Sequence, residues 1–401
     1  MLFQIIDQKQ TCTNIYSNNK IISDPDYKDL TGTWSYHSSL KENNNIEYAS
    51  LIAAGRSLDE CCPDILQDKW NKVKEKHFSF IRSFKEARVQ SNDHCFYDLV
   101  PESFVIEYFG IKNQITDHVL NNYNKPSNYD FLLDLTKLVT NMKNRNLSID
   151  PDKIKDQMHH LKARSFYNKL HNCRSHIDYN IFGSITGRLT ARKHSFPILT
   201  MDKNYRSILE PNNDWFVELD FNAAELRCLL SLNGNTQPEE DLHEWHQKIL
   251  NNLYDHQHDR NEIKTKMFGW LYGPLDTSLG IPEVEKYYDK QKAIKKYWNG
   301  KEITNPFGRK IISDEFHSLN RLIQSTTTDL FLRQAIKINK KLSEKKTCLA
   351  ALIHDSILLD FSREDKDILK DLEETFSNTA LGNFKASVRV GTNFGDMRRL
   401  R

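Results

Sequence analysis

Trp215–Leu232 reads WFVELDFNAAELRCLLSL, and how it divides decides the fold. Trp215 to Phe221 are β-formers, apolar apart from Glu218 and Asp220, and predict a buried strand. The following AELRCLLSL predicts a helix. Asp220 therefore ends a strand that otherwise reads as core. Cys348–Phe361, CLAALIHDSILLDF, has a related shape: two apolar strands joined at His354-Asp355. A polar pair between apolar strands is a turn, so Asp355 sits at a hairpin tip. Carboxylates at the ends of neighbouring buried strands can converge, and a divalent cation resolves their repulsion. The plainer reading of each Asp alone is a strand ending in water.

Between these segments lies Arg260–Gly273, RNEIKTKMFGWLYG. Arg260, Lys264, Phe268 and Tyr272 fall four residues apart. On a helix each such step drifts only about 40°, so the four side chains form one slanting stripe. An apolar core face would not begin Arg, Lys, and a solvated face would not end Phe, Tyr. The stripe suits a ligand with an anionic end and a flat end, such as a nucleoside triphosphate.

The rest of the chain is mixed. LFQII and TNIYSNNKII predict a small hairpin around Asn18-Asn19. Helical patterns follow, one capped at Ser57 and one opened by Pro63 and carrying Ile65, Leu66, Trp70, Val73 and Phe78. A third places Phe104, Tyr108, Ile111, Ile115 and Val119 on one face, and a fourth turns Leu135, Leu138, Val139 and Met142 inward. Asp150-Pro151 is a helix cap followed by proline at the first helical position. From about Asp178 short strands alternate with helices, and a long helix fills Asp314 to Ser343. A length of 401 residues accommodates two or three domains, and a formal charge of +2 neither requires nor excludes nucleic acid. Seven scattered cysteines without CxxC predict reduced thiols in a cytoplasm. The N-terminus lacks a signal-peptide pattern, and no apolar stretch approaches a membrane span.

Taken together, the segments resemble the family A DNA polymerases, the bacterial DNA polymerase I family. VELDFNAAELR resembles that family's motif A, RNEIKTKMFGWLYG its motif B, and IHDS its motif C. TGRLTA (Thr186–Ala191) is similar to the primer-side segment, and NPFGRKI and NRLIQSTTTD to segments between motifs B and C. The order agrees, and the resemblance runs from about Leu147 to the C-terminus. It implies a right-hand polymerase fold of mixed α/β (α+β) class, with an antiparallel-sheet palm and helical fingers over residues 181–401, a reduced thumb or connector over 146–180, and a small α-rich N-terminal domain over 1–145.

The resemblance also implies roles. Asp220 and Asp355 would hold two Mg²⁺ ions, with the Phe221 carbonyl as a further ligand. Arg260 and Lys264 would grip the triphosphate, Lys264 as a catalytic group, and Phe268 would stack on the incoming base or sugar. Tyr272 would lie near the templating base, and Glu225 would be the steric gate against a ribose 2′-OH. His243 resembles a phosphate-side histidine, although a lone histidine also reads as a capped or surface residue. Arg188, Gln324 and His354 would touch the primer terminus, with Arg309 and Arg206 as further primer-template contacts. The implied partners are a DNA primer-template and dNTPs, with no membrane.

Three departures shape the expectations. Ser356 stands where motif C ends in a carboxylate, as in single-subunit phage-type RNA polymerases, and Ala223 replaces the motif A glutamine. Glu225 and Phe268 favour deoxynucleotides. About thirty residues separate SIDPDKI from TGRL, which makes the thumb a stub and points to a separate processivity factor or other replication protein. Lys72, Lys74 and Lys76 offer an alternative grip on duplex, or an ordinary solvated helix face. The front 145 residues show no convincing exonuclease carboxylate set, so a degenerate remnant of that domain is expected, or else a docking module. The expectation is a compact, cytoplasmic, phage-type DNA polymerase without proofreading. The alternatives are a phage-type RNA polymerase or primase, and a catalytically weak relative that binds primer-template.

Overall fold

The computed structural model describes residues 1–7, 12–43, 45–89, 93–253, 259–275 and 277–400. The chain divides into two compact units, Met1–Asn141 and Met142–Arg401.

In the front unit, β1 (Gln4–Ile5), β2 (Ile15–Ser17) and β3 (Lys20–Ile22) form an antiparallel sheet in that order. The hairpin between β2 and β3 turns on Asn18 and Asn19, both at positive φ (48° and 59°), the geometry a tight two-residue turn requires and asparagine tolerates. Helices α1 (Asp64–Glu86), α2 (Glu102–Asn122) and α3 (Tyr129–Lys143) follow. A single turn before α1 carries the expected cap, a reciprocal box between Ser57 and Glu60.

Only part of the apolar set of α1 packs inward. Trp70 and Val73 are buried, but Ile65 is 86% and Phe78 57% exposed. The packed stripe also runs through half-buried His77, stacked on Tyr108 at 4.9 Å, and Phe80, 4.9 Å from Phe104. Helical geometry then turns Phe78 away from that stripe. A second correction concerns the thiols. Cys12 and Cys95 are joined in a disulfide, while Cys61, Cys62, Cys173, Cys228 and Cys348 are free. Two of the three candidate lysines are already paired, Lys74 with Asp59 at 2.8 Å and Lys76 with Glu107 at 3.1 Å.

In the back unit Asp150 caps a 3₁₀ turn over Pro151–Gln157, and the eleven-residue α4 (Leu161–His171) follows. Then come β4 (Trp215–Phe221), α5 (Ala224–Leu232), α6 (Leu242–Leu253), α7 (Arg260–Tyr272) and α8 (Glu315–Lys341). The chain ends with β5 (Cys348–Ile353), β6 (Ser356–Phe361), α9 (Leu369–Ser377), β7 (Ala386–Gly391) and β8 (Arg398–Arg399). The five strands form one antiparallel sheet in the order β5-β6-β4-β7-β8, with β4 at its centre. This is the mixed α/β architecture with an antiparallel sheet that the sequence predicts.

Alternation along β4 sorts its side chains. Phe221 lies on one face, stacked on Phe376 of α9 with ring centroids 4.0 Å apart. Truncating so buried a ring costs about 3–5 kcal/mol, so this contact anchors the strand end. Glu218 and Asp220 lie on the other face. Beyond the sheet, α5, α7 and α8 share a core of Leu226, Leu229, Ile263, Met267, Leu322 and Ile323. Among the described residues no helix is long and apolar enough to cross a membrane.

Candidate active site

The site begins at the C-terminal end of β4. Asp220 pairs in register with Ser356 on β6 and with Ser387 on β7. Ile353 pairs with Ser356, which leaves His354 and Asp355 as a two-residue turn beside Asp220. His354 takes φ 55°, a left-handed conformation tight turns demand. Ser356 is buried, and its hydroxyl donates to the Ile353 carbonyl at 3.2 Å, closing the hairpin.

The electrostatics at this corner are unusual. Burial, then the charges of Asp355 and Glu218, push the Asp220 carboxyl up to about 7, with Arg389 and Lys264 partly opposing. Burial also raises Asp355, against the pull of His354, Arg188 and Lys264. Two carboxyls that resist ionising side by side are a donor set suited to a divalent cation. Among the described residues no third His, Cys, Asp or Glu joins them at ligand spacing. The grouping of that kind is Asp7, Cys12 and Cys95 in the front unit, where both sulfurs are in the disulfide.

Helix α7 delivers the stripe. Asp259 and Glu262 form a capping box at its start. Ile263, Met267, Trp270 and Leu271 are buried, which turns Arg260 and Lys264 outward and leaves Phe268 and Tyr272 half-buried. The Phe268 and Tyr272 rings are nearly parallel, 6.1 Å apart. Lys264 acts on both Asp220 and Asp355. The His243 ring lies 6.0 Å from Phe268 and is buried, with no hydrogen-bond partner at Nδ1. Burial pushes its ionisation down to about 4, so at neutral pH it is an uncharged imidazole.

Glu225, in the first turn of α5, joins three segments. It accepts Arg188 Nη2 at 2.7 Å and a hydrogen bond from the Tyr272 hydroxyl. Burial raises its carboxyl, while Tyr272 and Arg188 hold it down. Arg188, Glu225 and Tyr272 thus brace one another beside Asp355.

The remaining predicted residues lie around this centre. Gln324 Oε1 accepts the Thr186 hydroxyl at 3.4 Å. Arg309 forks onto Asp329, through Nη2 at 2.7 Å and Nε at 3.0 Å, and so braces the fold. Gly187 takes φ 80°, a left-handed conformation that favours glycine, and a side chain there would also meet Arg309 Nη2 at 2.5 Å. Arg206 lies over the Phe394 ring at 4.5 Å, with its Nε buried and unpaired, and senses Glu218 and Arg389 rather than the Asp355 turn. A cavity of about 730 Å³ opens beside Arg188 and His354; Lys169, Arg192 and Lys193 also line it, and no carboxylate does.

Sequence reasoning missed Arg389. Its Nη1 lies 3.3 Å from Glu218 and its Nη2 3.8 Å from Asp220. Only the register of β7 against β4 reveals that neighbourhood. It also missed Asp241, which meets Arg260 at 2.8 Å.

No protein-family profile matches the chain, and no curated protein matches it in sequence. Among solved structures it is similar to the POL domain of Pol1 from M. smegmatis, described in complex with DNA primer-template and dNTP. The TM-score is 0.60 at 13% identity, over 87% of this chain and 82% of that one. At that identity the likeness shows a shared polymerase-domain fold.

Proposed function

We propose that the chain is a template-directed DNA polymerase, a nucleotidyltransferase that adds dNTPs to a primer 3′-OH with release of pyrophosphate. The observation that carries this reading is the convergence of two reluctant carboxyls, Asp220 and Asp355, with Lys264 of α7 and the braced Glu225. The fold shared with a polymerase domain whose structure holds primer-template and dNTP supports it.

Asp220 and Asp355, with the Phe221 carbonyl, would hold Mg²⁺; their raised ionisation fits them to that cation, and the strand end fixes both. When bound, the two ions sharpen the attacking hydroxyl and offset charge on the leaving pyrophosphate. Lys264 and Arg260 donate charge-assisted hydrogen bonds to phosphate oxygens. Phe268 presents a flat face to the base or sugar. Glu225, locked by Arg188 and Tyr272, fills the space a 2′-OH would need. Arg188 and His354, at the mouth of the cation-lined cavity, receive the primer end. Arg309 and Gln324 act from behind, holding the TGRL turn.

We assign no 3′–5′ proofreading to the front unit, on its lack of a convincing carboxylate set in sequence. With only a 3₁₀ turn and α4 in the thumb position, a separate processivity factor supplies the grip on duplex. With trap DNA present, the isolated chain should then make short additions, and long products would defeat that part. A second reading, RNA synthesis, draws on Ser356. Extension of a labelled primer with Mg²⁺ and either dNTPs or NTPs separates the two. The DNA reading expects dNTP products that vanish in Asp220→Asn, and a preference for NTPs would reverse it.

A further inference from the structure

Asp241, the residue immediately before α6, uses both oxygens twice. Oδ1 accepts the backbone N–H of His243 at 2.8 Å and of Glu244 at 3.2 Å, capping the helix. Oδ2 accepts Asn222 Nδ2 at 2.8 Å and Arg260 Nη2 at 2.8 Å. One carboxylate therefore joins the residue that follows β4, the start of α6 and the first residue of α7.

The mounting behind it is rigid. Asn222 Oδ1 accepts the Leu242 N–H at 3.1 Å and Arg227 Nη2 at 3.3 Å. Arg227 is fully buried, and its other N–H groups reach the carbonyls of Asn222, Pro238 and Glu240 at 2.8, 2.8 and 2.9 Å. These bonds fasten the connection from β4 to α6 from inside. The ion pair at its end is asymmetric: the Asp241 side chain is 12% exposed and that of Arg260 43%. The acid is the fixed partner and the base the accessible one. A guanidinium carries five donors in one plane, so one hydrogen bond to a fixed acid tethers the head group and leaves donors for a planar or tetrahedral anion.

We propose that Asp241 is a positioning residue for nucleotide binding: it holds Arg260 ordered, one N–H engaged and the rest presented to a triphosphate. The proposal rests on the nucleotidyl-transfer reading above and adds to it the group that orients the triphosphate arginine. Ordering a long side chain before the ligand arrives removes part of the entropic penalty of binding. The same carboxylate caps α6, so the His243 turn and Arg260 are set by one group.

The test is the affinity of dATP for the protein on a dideoxy-terminated primer-template with dT in the templating position, with Mg²⁺ present. Asp241→Asn keeps a good helix cap and removes the charge. It should weaken dATP binding about tenfold, the size of one lost charge-assisted contact, with the kinetic loss falling on KM rather than kcat. Arg260→Ala should weaken binding further, and adding Asp241→Asn to it should change nothing. Asp241→Ser, another capping residue, repeats the test should Asp241→Asn fold poorly. If Arg260→Ala weakens dATP binding while Asp241→Asn binds as tightly as wild type or tighter, the role of Asp241 is overturned. So it is if the Asp241→Asn loss persists undiminished in the Arg260→Ala background. If Arg260→Ala itself leaves dATP binding unchanged, the nucleotide reading of the site falls instead.

Discussion

At the end of β4, Asp220, Asp355 and Glu218 crowd charge of one sign into a half-buried corner, and the carboxyl of Asp220 ionises only near 7. Along α1 in the front unit, Lys74 and Lys76 each meet a carboxylate at the surface. In the first arrangement Arg389 and Lys264 offset the crowding only in part, because Asp220 stays raised, and such residual repulsion is a feature of ligand sites. The second is already neutralised, partly solvated and contributes little. The same residue types thus mark a site in one place and an ordinary helix face in the other.

That contrast can be broken most sharply at the carboxylates. Asp220→Asn or Asp355→Asn should slow primer extension on the order of a thousandfold or more, because each removes several kcal/mol of transition-state stabilisation. Primer-template affinity should stay near wild type in a filter-binding or anisotropy titration. Turnover close to wild type in either variant would end the assignment.

Next in size is sugar selection. Glu225 is held from two sides, by Arg188 and Tyr272, so its carboxylate is a fixed obstacle rather than a mobile one. Glu225→Ala should raise ribonucleotide use relative to deoxynucleotide by about tenfold or more, the scale of one well-placed steric contact. Competition between dATP and ATP at a single templating position reads this directly. An unchanged ratio would show that the gate lies elsewhere.

Much of this corner was legible in the chain, because local pattern and position coincide there. WFVELDF had to be a strand and His354-Asp355 a turn whatever packed around them, and the four-residue spacing of Arg260 to Tyr272 needs only helical geometry. What stayed hidden depends on register or tertiary pairing. Arg389 reaches Asp220 because β7 aligns Arg389 with Glu218. Asp241 reaches Arg260 across a gap of nineteen residues. On α1 the apolar residues fit two overlapping stripes, and aromatic partners on α2 chose the one that exposes Phe78. The Cys12–Cys95 pairing spans 83 residues, and no spacing rule predicts it.

A smaller effect follows from the raised carboxyl. The folded protein keeps a proton on Asp220 that the unfolded chain loses above about pH 4. Its contribution to stability is full below that pH and drains away as pH rises from about 4 to 7. Asp220→Asn cannot ionise and escapes the loss. Without divalent cation it should be more stable than wild type at pH 8 by about 2 kcal/mol, allowing for screening at a partly exposed site, and equal to it at pH 4. Thermal melts at the two pH values would show this, and equal melting at pH 8 would argue against a strained carboxylate. Smallest of all, Lys74→Ala and Lys76→Ala should each change stability by less than about 1 kcal/mol and leave primer-template affinity unchanged. A marked loss of affinity would move the front helix from scaffold to DNA grip.

If the proposed function holds, the Asp220–Asp355 corner joins nucleotides under the direction of a template. Single-nucleotide addition tests it most directly: primer-templates differing only in the templating base, each offered the four dNTPs one at a time with Mg²⁺. Wild type should add the complementary dNTP in every case and Asp355→Asn should add none on the same timescale. Addition that ignores the templating base, or that survives in Asp355→Asn, would contradict it.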